Sequence, residues 1–130
     1  MDDKFGRMLQ VLNDLLKEED ILAVRIASGS GGNIAPPQAS LKIKNLNIWN
    51  MVNNTVNEAF TIFGKFDPFG VDKMYVELGE YEVIFFKVDR RTLLISVIPA
   101  LANKGLLEVE IENARRDIVK ILKEPETKTE

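Results

Sequence analysis

Residues Met74–Pro99 read MYVELGEYEVIFFKVDRRTLLISVIP, and this stretch decides the fold. Three short apolar runs are separated by turn chemistry. Met74 to Leu78 is the first expected strand, closed by the two-residue turn Gly79-Glu80. Glu82 to Val88 is the second, and its continuous Val83-Ile84-Phe85-Phe86 predicts burial on both faces. Asp89-Arg90-Arg91 turns the chain into Thr92 to Ile98, apolar throughout and stopped by Pro99, which cannot donate to a ladder. Links this short join antiparallel neighbours.

On the C-terminal side, Leu107, Ile111, Ala114, Ile118, Ile121 and Leu122 repeat at helical spacing from about Lys104 to Lys123. On the N-terminal side, Gly64 through Lys73 reads as a loop holding Pro68 and Gly70. A helix is expected before it from Leu46 to about Phe63. Residues 38–45 form an irregular link. Earlier still, Ile21 to Ala27 is a short β-branched run, Ser28-Gly29-Ser30-Gly31-Gly32-Asn33 is a turn, and Ile34-Ala35 is a brief second strand ended by Pro36 and Pro37. Phe5, Met8, Leu9, Leu12 and Leu16 place a first helix over Lys4 to about Glu19. The expected order is α-β-β-α-β-β-β-α. Strands in groups with helices between them indicate an α+β domain, with a mostly antiparallel five-stranded sheet and helices on both faces. One domain is expected over residues 1–123, followed by a flexible tail over 124–130.

Composition excludes much chemistry. The 130 residues hold no Cys and no His, which removes disulfides, thiolate nucleophiles, Cys/His zinc sites and every triad with an imidazole base. A net charge of −3 gives no basic footprint for a nucleic-acid backbone, so no nucleic-acid partner is expected. No apolar run approaches the ~20 residues of a membrane span, and Met1-Asp2-Asp3-Lys4 is unlike a signal peptide. The expectation is a cytoplasmic protein without membrane insertion.

The motifs that would carry nucleotide or metal chemistry fail on context. Gly29-Ser30-Gly31-Gly32 continues into a strand, and Ile34 stands where a dinucleotide fingerprint needs its third glycine. The one Gly-Lys pair, Gly64-Lys65, has Ala59 in place of the first P-loop glycine and is followed by Phe66. Glu108, Glu110 and Glu112 are spaced so that Glu110 leaves the face shared by the other two. Glu77, Glu80 and Glu82 flank one hairpin, and no loop brings further oxygen ligands to them. No catalytic residue, cofactor site or metal site is expected, and the chain reads as a non-enzyme.

The middle helix departs from an ordinary surface helix. Ile48, Trp49, Met51, Val52, Val56, Ala59, Phe60, Ile62 and Phe63 sweep about 180° of its circumference, against roughly 100° for a helix covering one sheet. Its other side carries Asn47, Asn50, Asn53, Asn54, Asn57 and Thr61, with Glu58 the only acid before Lys65. Charge depletion beside a wide apolar stripe is the composition of an interface core. These nine residues and Thr55 are the expected dimer interface. A helix wedged into its own fold is the competing explanation. Phe66 and Phe69 around Asp67-Pro68 are a second candidate patch for a partner, with Arg90 and Arg91 in a neighbouring turn.

The element order and several local patterns resemble the roadblock/dynein light chain family. The resemblance rests on Leu9-x-x-Leu12-x-x-x-Leu16, the Val24-Arg25-Ile26-Ala27-Ser28 strand with its Gly31-Gly32 tip, Leu93-Leu94-Ile95-Ser96-Val97, and Ala114-x-x-x-Ile118. It spans roughly residues 4–123. The chain departs from the family at Ser30, where an acidic residue is usual, and at Pro36-Pro37. The resemblance implies a roadblock/profilin-like fold and a non-enzymatic dimer that pairs through the central helix and an edge strand. It further implies a small Ras-like GTPase as partner, with the protein as regulator or scaffold. A stand-alone domain free of His and Cys suits a prokaryotic member, an archaeal one included. Arg25, Arg90 and Arg91 are the arginines available to reach a bound GTPase. Two other functions stay open: a profilin- or GAF-like domain sensing a small ligand between helix and sheet, and a dimerisation module with no GTPase.

Overall fold

The computed structural model describes residues 3–29 and 32–125. The expected turn at Ser28–Asn33 therefore lies partly outside the described residues, as does the tail beyond Pro125. Five strands form one antiparallel sheet: β1 (Ala23–Ser28), β2 (Asn33–Ile34), β3 (Lys73–Leu78), β4 (Tyr81–Asp89) and β5 (Thr92–Pro99), in spatial order β2-β1-β5-β4-β3. Helices α1 (Lys4–Leu15) and α4 (Lys104–Lys123) cover one face. Helices α2 (Leu46–Asn54) and α3 (Val56–Phe66) cover the other. The α+β architecture expected from the sequence is the one observed.

The layers explain the continuous apolar runs. Successive side chains of a strand point to opposite faces, so Ile84, Leu94 and Ile98 enter the core under α1 and α4 with Leu12, Ile111 and Ile118. Val83, Phe85, Ile95 and Val97 enter the core under α2 and α3 with Trp49, Val52 and Phe63. β5 lies at the centre of the sheet, and every residue from Thr92 to Ile98 is buried. Each such Leu or Ile contributes roughly 1.5–3 kcal/mol by leaving water. β3 is different. It is an outer strand, its burial alternates, and Met74, Val76 and Leu78 are its half-buried members.

Local chemistry sets most element ends. Gly79 takes φ +67° in the β3–β4 turn, the conformation a Gly-first hairpin turn requires. Asn103 accepts a hydrogen bond from Leu106 N–H at 3.2 Å and starts α4. At the far end of α4, the Glu124 carboxylate accepts from the Arg7 guanidinium at 2.8 Å, tying that residue to α1.

Strand ends shift by one or two residues from the sequence reading, β2 being Asn33–Ile34 rather than Ile34-Ala35, and three boundaries differ by more. The first helix ends at Leu15, not Glu19. Lys17 and Glu18 make tighter bonds to Asp14 and Leu15, and Lys42 Nζ donates to the carbonyls of Leu16 at 2.7 Å and Glu18 at 2.6 Å. That lysine caps the helix from 26 residues away. The single middle helix is two helices broken at Thr55. The Thr55 hydroxyl and N–H both donate to Val52 O, at 2.8 and 3.1 Å. A side chain that competes for backbone groups beside two asparagines, both poor helix formers, interrupts the i→i−4 ladder. Finally, the expected loop from Gly64 is helical to Phe66, followed by a 3₁₀ turn at Asp67–Phe69 that Gly70 closes at φ +79°.

Candidate interaction surface

Asn45 fixes the start of α2: its side-chain oxygen accepts from Asn47 N–H at 3.1 Å and from Ile48 N–H at 3.4 Å. From there the wide apolar stripe divides in two. Trp49, Val52, Val56, Ala59 and Phe63 are buried in the chain's own core against β4 and β5. Ile48, Thr55 and Phe60 are half-buried. Met51 and Ile62 remain exposed, by 61% and 38%. The helices therefore cover their own sheet and still present apolar side chains to water.

Met51, Thr55, Glu58 and Ile62 form one wall of an open groove of about 200 Å³. Met74, Val76 and Leu78 of β3 form the other wall, and Val52, Ala59, Val83 and Phe85 line it below. Among the described residues β3 has β4 on one side and no strand on the other, so an apolar groove runs beside an unpaired strand edge. An edge of that kind is a template for pairing with another chain. Sequence reasoning singled out the helix wall and missed the strand wall. The signal was there: Met74, Val76 and Leu78 alternate with Lys73, Tyr75 and Glu77, whereas the two following strands hold the unbroken apolar runs Val83–Phe86 and Leu93–Ile95.

A second pocket, of about 320 Å³, lies at the C-terminal end of α3 and is lined by Phe60, Phe63, Gly64, Asp67, Lys87, Asp89, Arg90 and Leu93. Phe60, expected with the other interface residues, opens here. Lys87 Nζ donates to Asp67 Oδ1 at 2.8 Å, and the Arg90 guanidinium stands 4.0 Å from Asp67 Oδ2. The hydrogen bond from Lys87 holds the Asp67 carboxyl below the usual carboxylate range. Phe66, the last residue of α3, and Phe69 of the adjoining turn have ring centroids 6.4 Å apart, and Phe69 is 82% exposed; neither lines the pocket. Arg91 is exposed, and its N–H donates to Asp89 Oδ1 at 2.8 Å. The structure thus gathers Phe60, Phe66, Phe69 and Arg90 at one end of α3.

Two polar groups are engaged within the chain in ways the sequence reading did not anticipate: Glu82, expected only to flank the hairpin, and Arg25, expected to be available to a bound GTPase. Glu82 is buried on β4 and accepts from Lys104 Nζ at 3.0 Å, while that ammonium also sits 4.8 Å from the centre of the Tyr75 ring. Arg25 is half-buried beneath α2, donates to Asn53 Oδ1 at 2.7 Å, and burial pushes its pKa down. Among the described residues no cluster of His, Cys, Asp or Glu is arranged to hold a metal ion, and no helix is long and apolar enough to cross a membrane.

No protein-family model and no curated protein matches the chain. Solved structures do. Myxococcus xanthus MglB aligns with all of this chain and 98% of its own at 18% identity, with a TM-score of 0.77. A structure described as MglB with tetrameric arrangement is similar over 93% of this chain and 91% of its own, at 15% identity and a TM-score of 0.67. A Roadblock/LC7 domain from Streptomyces avermitilis covers 87% of this chain and 95% of its own, at 13% identity and a TM-score of 0.62. Likeness across the whole chain, at identities this low, is a statement about architecture: the chain has the roadblock/LC7 fold.

Proposed function

We propose that the chain is a non-enzymatic regulator or scaffold that works as a dimer and binds a small Ras-like GTPase. The observation that carries the dimer is the groove of about 200 Å³ between α2–α3 and the open edge of β3, with Met51 and Ile62 exposed at its rim. A second copy covers both the apolar wall and the unpaired strand edge in one contact, and a symmetric dimer uses the same patch twice. Self-assembly of a protein with this fold, in the tetrameric arrangement described for MglB, supports this reading.

The GTPase partner follows from the roadblock resemblance. The surface for it is the far end of α3, where the exposed Phe66 and Phe69 adjoin Asp67 in the chain, and Asp67 lines the pocket with Phe60 and stands 4.0 Å from the Arg90 guanidinium. Exposed aromatic residues next to an arginine are the composition of interaction hot spots. This end carries no nucleotide cradle, so the chain acts on the GTPase's own groups. Affinity capture from a lysate of the source cell, with the full chain immobilised and GDP or a non-hydrolysable GTP analogue added, is the test. Retention of a small GTPase, lost in Phe69→Ser with Arg90→Ala, is expected. Capture of no GTPase in either nucleotide state overturns the partner.

A further inference from the structure

We infer that the pocket at the C-terminal end of α3 binds a small amphipathic anion, an apolar body carrying a carboxylate or phosphate, which lies against the backbone of Gly64 and is held at its charged end by Arg90. This goes beyond the partner reading above: the ligand binds the chain itself, with or without a GTPase.

A glycine gives the first argument. Gly64 stands inside α3, where only proline is a poorer helix former. No turn requires it, since among the described residues Gly70 and Gly79 are the glycines with positive φ. No neighbour requires it either, because a Cβ there meets nothing within 4 Å. The other helical glycines, Gly6 and Gly105, stand in first turns, and a Cβ on them would meet Asp3 at 3.7 Å and Asn103 at 3.8 Å. The fold therefore gains nothing from the side chain missing at Gly64. What the glycine does is line the pocket with backbone atoms alone, and glycine is the residue that lets a ligand approach a backbone closely. At about 320 Å³ the pocket lies at the small end of ligand sites, which suits a small molecule.

The rest of the lining gives the class of ligand. Phe63 and Leu93 are buried and Phe60 is half-buried, so the pocket offers aromatic and aliphatic surface. Its charged residues are Asp67, Lys87, Asp89 and Arg90. Three of them are already hydrogen-bonded within the chain: Lys87 Nζ donates to Asp67 Oδ1 at 2.8 Å, and Asp89 Oδ1 accepts from the Arg91 N–H at 2.8 Å. The Arg90 side chain makes no hydrogen bond among the described residues. It is 87% exposed, and Asp67 Oδ2 stands 4.0 Å from it, beyond hydrogen-bond reach. A guanidinium presents a planar fork of donors that matches carboxylate and phosphate oxygens two at a time. The recognition group left over in this pocket therefore selects an anion. A bare inorganic ion would leave the apolar surface wet, whereas an anion with an apolar body covers it.

The test titrates the isotope-labelled full chain with phenylacetate, phenyl phosphate and the uncharged phenylacetamide, read by amide NMR shifts. Probes of about ten heavy atoms should give saturable shifts at Gly64, Arg90 and Leu93, with a Kd on the order of 1 mM. Binding of either anion supports the site, and the tighter of the two names the head group. Phenylacetamide should bind at least about fivefold more weakly than phenylacetate, and phenylacetate should lose as much affinity for Arg90→Ala. Gly64→Gln fills the space the glycine leaves open. It should weaken phenylacetate at least about tenfold while the chain melts no lower than wild type, because glutamine is the better helix former. A site lost from a fold that is no less stable separates ligand binding from structure. The inference is overturned by no saturable shift with either anion, by saturable shifts confined to other parts of the chain, or by phenylacetamide binding as tightly as phenylacetate. It is equally overturned by a Gly64→Gln chain that melts below wild type or binds phenylacetate within about threefold of it. None of these results bears on capture of a GTPase, and failed capture leaves the ligand site standing.

Discussion

Replacing Met51 by Glu and replacing Val56 by Glu should give opposite phenotypes, although both residues belong to the same apolar stripe. Met51 is 61% exposed at the rim of the groove, and Val56 is buried against the sheet. Full burial of a methionine is worth roughly 1.5–3 kcal/mol, so covering its exposed three-fifths contributes about 1–2 kcal/mol per chain. Symmetry doubles every substitution in a two-fold interface, giving about 2–4 kcal/mol for the dimer, and the glutamate adds the cost of desolvating a carboxylate. Since about 1.4 kcal/mol is tenfold in affinity, Met51→Glu should raise the dimer Kd on the order of a hundredfold. The monomer should stay folded, because glutamate is a good helix former at a solvated position. Val56→Glu instead strands a carboxylate in the core at a cost of several kcal/mol, against a total stability of about 5–15 kcal/mol. It should yield insoluble or unfolded protein. Sedimentation equilibrium reads the first effect, and far-UV circular dichroism with a thermal melt reads the second. A Met51→Glu protein with Kd within about threefold of wild type, or a Val56→Glu protein that melts like wild type, refutes the division of the stripe.

Two glycines should respond with opposite signs. Gly64 is helical and a Cβ there meets nothing within 4 Å, so Gly64→Ala should stabilise by about 0.4–1 kcal/mol, read as a higher urea midpoint. Gly79 holds φ +67°, so Gly79→Ala should destabilise by about 1–2 kcal/mol in the same assay. Lys104→Met leaves the buried Glu82 without its cation and should lower the melting temperature by several degrees. The double variant Glu82→Leu with Lys104→Met should recover most of that loss, because an apolar pair replaces a buried ion pair at little net cost. Hydrogen bonds from Arg115 hold the Glu112 carboxyl below its ordinary pKa of 4.5, with the Arg116 charge adding to the effect. A depressed folded pKa stabilises above the unfolded value and is lost as pH falls through the folded one. Thermal melts of wild type and Glu112→Gln should therefore differ at pH 7 and converge as the pH drops below about 4.

Much of this fold was legible because local rules and tertiary packing agree. The Gly79-Glu80 turn fell where a two-residue hairpin loop needs a glycine, and the last helix runs over the range its apolar spacing marks, from the Asn103 cap to Lys123. Where local and distant groups compete, the sequence was silent. The end of α1 depends on Lys42, which reaches the Leu16 carbonyl from outside the helix, and the break at Thr55 depends on a side chain capturing Val52 O. Glu82 read only as an acid flanking the hairpin, because nothing in its neighbourhood of sequence announces Lys104.

The candidate surface divides along the same line. By itself the sequence determined that the middle segment carries too much apolar surface and too little charge for an ordinary exposed helix. Side-chain period and composition are properties of the chain, and they survive any arrangement of the elements. Only the tertiary structure decided which part of that surface the protein keeps for its own core and which part it leaves at the groove. It also decided that β3, rather than β4 or β5, ends the sheet beside it. A strand's residues record how many of its faces are buried. Whether another strand lies at its edge depends on backbone hydrogen bonds, which every residue but proline can make alike.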